Sequence, residues 1–350
     1  MSNFPEGPWL IVVGMHRSGT SAVTGALAGL GFNMARSEDR MDWPASNPEH
    51  WESLSAALFN ESLLAAFGGS WDAPPELPVG WHTDPDIVSA GDPTTVMAAA
   101  YPDPGPLVWK DPRLCLLLPY WRERLPGPVA VVFVGRSPLA VARSLQQRDG
   151  MDVTDGLALW ERYNRSAIEG LAEMDSYVAD YEVVVDDPGG FIEGLVTWLR
   201  SLRQFEGEGM GWDVERAVAS IVGELRHQPG GQARADGTVL LPEQRELVEL
   251  LAGLQGGHRP FGPPPAMVES AWTTEVIRLR REEIPRLKQI DDLTNQLHTA
   301  DRMLAMARAD LAESNQMLED VYTSSSWRLT KPLRSSLSSL QELRNRSIGS

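Results

Sequence analysis

"VVGMHRSGTSAV", from Val12 to Val23, carries two glycines, Gly14 and Gly19, at the spacing of a nucleotide-binding phosphate loop, G-x-x-x-x-G-K-[ST]. The lysine of that pattern is absent: Thr20 stands in its place and Arg17 lies inside the loop. A glycine-rich turn between a strand and a helix lets backbone N–H groups converge on phosphate oxygens, and the helix N-terminus adds partial positive charge. The donors expected here are the amides from Arg17 to Ser21, with the hydroxyls of Ser18, Thr20 and Ser21. The competing reading is a plain strand-to-helix turn.

Outward from this loop, short β-branched runs bounded by turn residues recur. "WLIVVG" (Trp9 to Gly14), "PLVWKDP" (Pro106 to Pro112), "VAVVFVGR" (Val129 to Arg136) and "YEVVVDD" (Tyr181 to Asp187) each read as a buried strand. Helical patterns lie between them: "SAVTGALAGLGF" after the first, "PLAVARSLQQRDG" after the third, "FIEGLVTWLRSL" after the fourth. This alternation predicts an α/β fold of P-loop type, a mainly parallel sheet flanked by helices. Ligands of such sheets bind at the carboxyl ends of the strands, where both Gly14 and Arg136 fall.

Two further segments bring cations to the same edge. Arg136 ends the third strand and Ser144 follows eight residues on; the planar Arg fork and a serine hydroxyl suit a phosphate. A solvated Arg and a helix-surface Ser are the plain reading. In "WKDPRL", Lys110 leaves a strand at its carboxyl end, with Asp111 and Arg113 beside it. A strand-end ion pair between Asp111 and Arg113 is the structural alternative there.

The chain has 350 residues, 42% hydrophobic and 23% charged, the composition of a folded globular protein. Its formal net charge of -17 argues against a general nucleic-acid binder and leaves any bound anion to a few placed cations. Cys115 is the only cysteine, in the apolar run "RLCLLLPYW", which excludes an intrachain disulfide and reads as packing. The first residues lack a basic n-region, and no stretch is long enough to cross a bilayer, so a cytoplasmic location is expected.

The chain divides by composition into residues 1–262, a Pro-rich linker 263–269, a helical or coiled-coil segment 270–322 and a basic tail 323–350. Ile290, Leu297, Leu304, Leu311 and Leu318 are seven apart, with Leu293, Ala300, Ala307, Ser314 and Val321 between them. Such heptads predict a coiled coil and, through it, a homo-oligomer; a long helix lying on the main domain is the alternative. Pro285 is expected to interrupt any helix begun near Trp272. The tail carries Arg328, Lys331, Arg334, Arg344 and Arg346 against Glu342, either a peripheral contact with a membrane surface or a partner, or a solvated end.

Taken in order, the loop, "NPEHWESLSAALFNESLLAAFGGSWDAPP", "VWKDPRLCLLLPYW" and "VFVGRSPLAVARSL" resemble the sulfotransferases that use 3′-phosphoadenosine 5′-phosphosulfate (PAPS), in particular bacterial enzymes of cell-surface glycans, over roughly residues 8 to 200. The resemblance implies transfer of a sulfuryl group from PAPS to an acceptor hydroxyl, with a carbohydrate or glycolipid as acceptor and no metal. It makes the first segment the 5′-phosphosulfate loop (Arg17, Ser18, Gly19, Thr20, Ser21) and Arg136 with Ser144 the 3′-phosphate motif. It also explains the missing lysine, because the donor has no γ-phosphate. Arg17, assisted by Lys110, then balances charge on the bridging oxygen. The base falls among Glu49, His50 and Glu52; by place in the motif Glu52 is favoured and His50 is the reserve. The plain reading of Glu52 is a first-turn helix carboxylate. Trp43, Trp51, Trp71 and Trp81 offer flat faces to a sugar ring or simply pack loops. "HQPGGQARADG", with His227 and Arg234, is a weak counterpart to the family's late Gly-rich stretch.

Two rival functions remain: a P-loop kinase or NTPase, with Val183 to Asp187 as a strand-end carboxylate for magnesium, and a non-catalytic nucleotide-binding scaffold with a coiled coil.

Overall fold

The computed structural model describes residues 5, 7–41, 51–84, 87, 92–206, 211–227, 239–264 and 267–338, except the side chains of 224–227, 287, 288 and 291. Five strands form one sheet in the order β2-β1-β3-β4-β5. They are β1 (Trp9–Val13), β2 (Leu107–Lys110), β3 (Val129–Gly135), β4 (Asp175–Asp180) and β5 (Gly256–His258). The first four pair in parallel, with Ile11 level with Trp109 on one side and Val131 on the other; β5 is antiparallel to β4. The fold is therefore the expected α/β class, with a mostly parallel sheet flanked by helices and a long C-terminal helix.

Every residue of β1 is buried, because alternate side chains enter two separate cores. Trp9, Ile11 and Val13 face a core with residues of helices α2 (Leu54–Ala66), α3 (Leu114–Arg122), α4 (Pro138–Asp149) and α5 (Val153–Gly170). Leu10 and Val12 face the other, with α1 (Thr20–Gly29), α7 (Pro188–Arg200) and α8 (Val214–His227). A continuous apolar run is thus needed in β1, and the sheet's carboxyl edge is left as the open end.

The fourth strand differs from expectation. "YEVVVDD" does not pair; Tyr181–Asp186 is a short helix, α6, and β4 is the preceding "DSYVAD". The Asp180 side chain accepts from the Glu182 amide and caps that helix, so the valine run begins where pairing ends. Val184 is buried while Val183 is exposed, a helical rather than a strand pattern.

The chain forms two compact units, residues Met1–Glu283 and Ile284–Ser350. The first extends past the Pro-rich run 263–269 because Glu161, buried in α5, accepts hydrogen bonds from Ser270 N, Ser270 Oγ and Thr273 Oγ1 (2.9, 2.9 and 2.6 Å). Arg280 adds an ion pair to Asp155. The long C-terminal helix, α9, is continuous from Ala271 to Thr323 with Pro285 inside it, against the expected interruption. A proline removes one donor and crowds one carbonyl, a local cost of about 3 kcal/mol that strong helix formers on both sides outweigh. Within the second unit, from Pro285 on, the helix is exposed along its described side chains. Among the described residues no helix is long and apolar enough to cross a membrane.

Candidate active site

The loop between β1 and α1 is built around two backbone conformations. Gly14 leaves the strand where a Cβ would lie 2.5 Å from the Val134 carbonyl oxygen, so the close approach to β3 requires glycine. Arg17 and Gly19 are both left-handed, with φ of 70° and 86°. Ser18 N donates to Met15 O at 3.0 Å and closes the turn, and Ala22 N donates to Gly19 O at 3.1 Å to begin α1. The first-turn amides of Thr20 and Ser21 have no intrahelical acceptor by geometry, and Gly19 supplies no side-chain cap. Ser18 Oγ is buried without a hydrogen-bond partner. An anion at this turn would satisfy these donors, so the residues present fit a phosphate or sulfate group.

The left-handed Arg17 is held from two sides. Its Nε donates to Ser144 Oγ on α4 at 2.8 Å, and its carbonyl accepts from Arg136 Nη1 at 2.8 Å. Thus Arg17 forms one cluster with Arg136 and Ser144, which lie 119 and 127 residues further along the chain. The Arg136 guanidinium also lies 4.5 Å from the Tyr181 ring, and its Nε is buried without a partner. Tyr181 in turn covers Gly19, where a Cβ would come within 1.9 Å of the ring. Burial, with Arg148 and Arg136 nearby, holds the Arg17 pKa below the usual guanidinium value. Crowded cations with an unused donor favour an anion between them. Beside them, burial and Asp180 push the Glu182 carboxyl up to about 7.

The second cluster lies at the end of β2. Glu52 stands outside α2, one residue before its cap; Ser53 accepts from Ala56 N at 3.1 Å. Lys110 Nζ sits 2.5 Å from Glu52 Oε1 and 3.3 Å from Ser21 Oγ, which ties the base candidate to the first turn of α1. Arg113 lies 4.0 Å from Glu52, but its closer partners are Glu61 at 2.7 Å and Asp111 at 3.1 Å. Asp111 also accepts from Asn60 at 2.9 Å. Burial opposes the Arg113 charge, yet Asp111, Glu61 and Glu52 outweigh it and raise its pKa. Asp111 and Arg113 are therefore paired as the structural reading expected, and Lys110 is the cation bonded to Glu52.

Sequence reasoning passed over His16, an unmarked position of the loop pattern. Its ring is buried, 4.5 Å from Trp71 and 5.9 Å from Tyr163, with Nε2 lacking a hydrogen-bond partner. Burial, reinforced by Arg113, holds its pKa well below the ordinary histidine value although Glu52 pulls the other way. The available signal was a lone imidazole among the small residues of the loop.

Glu49, His50, Trp43 and Arg234 lie outside the described residues, as does the side chain of His227. Trp51 is half-buried with Arg40 5.0 Å from its ring, and Trp81 is in the core. Cys115 is fully buried, which pushes its thiol pKa up and fits the packing role. Asp187 accepts from Gly190 N at 3.0 Å and caps α7, so the segment 183–187 is not a strand end. Among the described residues no group of three or more His, Cys, Asp or Glu side chains is placed to hold a metal ion.

No family model and no curated protein matches the chain. Among solved structures it is similar to the sulfotransferase domain from the Synechococcus PCC 7002 olefin synthase (15% identity, 79% of this chain and 95% of that one, TM-score 0.37). It is also similar to the sulfotransferase domain from the curacin biosynthetic pathway (14% identity, 71% and 98%, TM-score 0.40). A third is the sulfotransferase STF1 from Mycobacterium tuberculosis (15% identity, 71% and 77%, TM-score 0.38).

Proposed function

We propose that this protein is a sulfotransferase that moves a sulfuryl group from PAPS to an acceptor hydroxyl on a glycan or glycolipid. The observation that carries this reading is the convergence of Ser21, Lys110 and Glu52 at one end of a lysine-less phosphate loop whose other end joins Arg17, Arg136 and Ser144. Cations at both ends of this loop, Lys110 at one and Arg17 with Arg136 at the other, suit a donor with phosphate groups at two positions.

Arg136 and Ser144 hold the 3′-phosphate end, and Arg17 with the amides and hydroxyls from Ser18 to Ser21 holds the phosphosulfate. Glu52 accepts the proton of the acceptor hydroxyl as that oxygen bonds to sulfur. Lys110, with Arg17 assisting, faces the negative charge that grows on the bridging oxygen as its bond to sulfur breaks; the electron pair leaves with adenosine 3′,5′-bisphosphate. His16 and Trp71, packed together beside this pair, border the acceptor side. The exposed Trp327, Leu329, Leu333 and Leu337 alternate with Arg328, Lys331 and Arg334, which supports a peripheral membrane contact by this tail.

The kinase reading lacks support from 183–187, which lies in and after a helix. Calorimetry with adenosine 3′,5′-bisphosphate in magnesium-free buffer, followed by transfer of radiolabelled sulfate from PAPS to a cell-envelope extract, tests the proposal. Binding and label uptake are expected. Magnesium-dependent ATP binding with no response to the bisphosphate would replace it with the kinase reading.

A further inference from the structure

We infer that the apolar seam of α9 from Ile290 to Val321 pairs with a second copy of the chain, and that the two helices run antiparallel. Ile290, Leu293, Leu297, Leu304, Leu311, Leu318 and Val321 are each between 48% and 61% exposed. Ala300, Ala307 and Ser314, which complete the heptad seam, are exposed too. A helix this long with a stripe of half-exposed leucines is not stable alone in water, since propensity contributes little and the apolar face must be covered. A strict seven-residue repeat curves into a left-handed supercoil and fits another helix with the same repeat better than a flat surface.

The composition of the two seam positions selects the direction. In a parallel pair, like positions meet: Leu297, Leu304 and Leu311 face themselves and hold the axes apart, while Ala300, Ala307 and Ser314 face themselves across gaps. Antiparallel pairing, with a twofold axis between Ala305 and Met306, sets unlike positions together. Leu304 then meets Ala307 of the second copy, Leu311 meets Ala300, and Leu297 meets Ser314. Ile290 meets Val321, and Leu293 meets Leu318, at the two ends. The three central pairings then each join one large and one small residue, the end layers join Ile290 to Val321 and Leu293 to Leu318, and no layer has two small ones. On one flank Asp301 comes within a turn of Arg308 of the second copy, twice by symmetry, whereas the parallel register sets Met303 beside Arg308 and Asp310 beside Asn315. The seam of 32 residues is about 48 Å long at 1.5 Å per residue, room for the roughly 800 Å² per copy that a stable interface buries.

The test uses the full chain in two single-cysteine variants, Ile290→Cys and Val321→Cys, with the buried Cys115 kept. Under mild oxidation, the mixture of both is expected to give a disulfide-linked species of twice the chain mass, and neither variant alone is. Self-linked dimers from either variant alone would overturn the direction in favour of parallel pairing. Sedimentation equilibrium of the unmodified chain is expected to give a dimer, lost in Leu304→Asp/Leu311→Asp together with part of the helicity, while nucleotide binding is retained. A monomeric unmodified chain, or a dimer that survives both aspartates, would overturn the seam itself.

Discussion

Lys110 Nζ lies 2.5 Å from Glu52 Oε1 where both side chains are under a tenth exposed, so the two charges depend on each other for solvation. Glu52→Gln is expected to lower turnover about 100- to 10,000-fold, the usual contribution of a positioned base, while leaving bisphosphate affinity unchanged. It also strands the ammonium, so a loss of about 3 kcal/mol in denaturant stability is expected, largely recovered in Glu52→Leu/Lys110→Met. Unchanged turnover would remove Glu52 as the base.

Arg136→Ala removes the donor to the Arg17 carbonyl and the cation over Tyr181. A charged hydrogen bond is worth about 1.5–3 kcal/mol, so bisphosphate affinity is expected to fall roughly 10- to 100-fold by calorimetry. Ser144→Ala, which frees Arg17 Nε, is expected to cost less. If Arg136→Ala binds as tightly as the parent chain, the 3′-phosphate assignment fails.

His16 makes stability depend on pH. Its pKa in the folded chain is depressed by burial and Arg113, so below about pH 6.5 the unfolded chain takes up a proton that the folded chain refuses. Stability is therefore full above the unfolded value and is lost as pH falls toward the folded one, by at most about 1.4 kcal/mol per pH unit. Chemical denaturation between pH 7.5 and about 5 is expected to show this slope, and His16→Gln to flatten it. Identical slopes in the two proteins would mean that His16 accepts its proton in the fold.

Truncation separates the boundaries. A chain cut after Glu283 keeps Ser270, Thr273 and Arg280 and is expected to melt and to bind bisphosphate like the parent. Cutting after Pro265 removes three donors to the buried Glu161, leaving Arg165 at 3.0 Å as its cation, and is expected to lower the melting temperature by about 6–12 °C, roughly 3 kcal/mol for a domain of this size. Equal melting of the two truncations would return the boundary to the Pro-rich run.

Local chemistry was legible where a few adjacent residues suffice. The buried strands β1, β2 and β3 declare themselves as apolar runs because both faces are covered, and the glycines of the loop because Gly14 and Gly19 alone tolerate their surroundings. The run "YEVVVDD" misleads for the same reason: three valines suit a strand, but the aspartate cap that starts a helix is set by one hydrogen bond, which Asp180 accepts from the Glu182 amide.

What the sequence by itself determined is the set of side chains and the order of strands and helices that brings the loop, Lys110 and Arg136 to one edge of a parallel sheet. Only the tertiary structure decided which of them meet: Arg17 with Ser144 and Arg136, Glu52 with Lys110, His16 with Trp71, and Ser270 with Glu161. The physical reason is range. Periodicity and turn chemistry act over a few residues, whereas a buried charge takes its partner from whatever element packs against it, at sequence distances that no local pattern records.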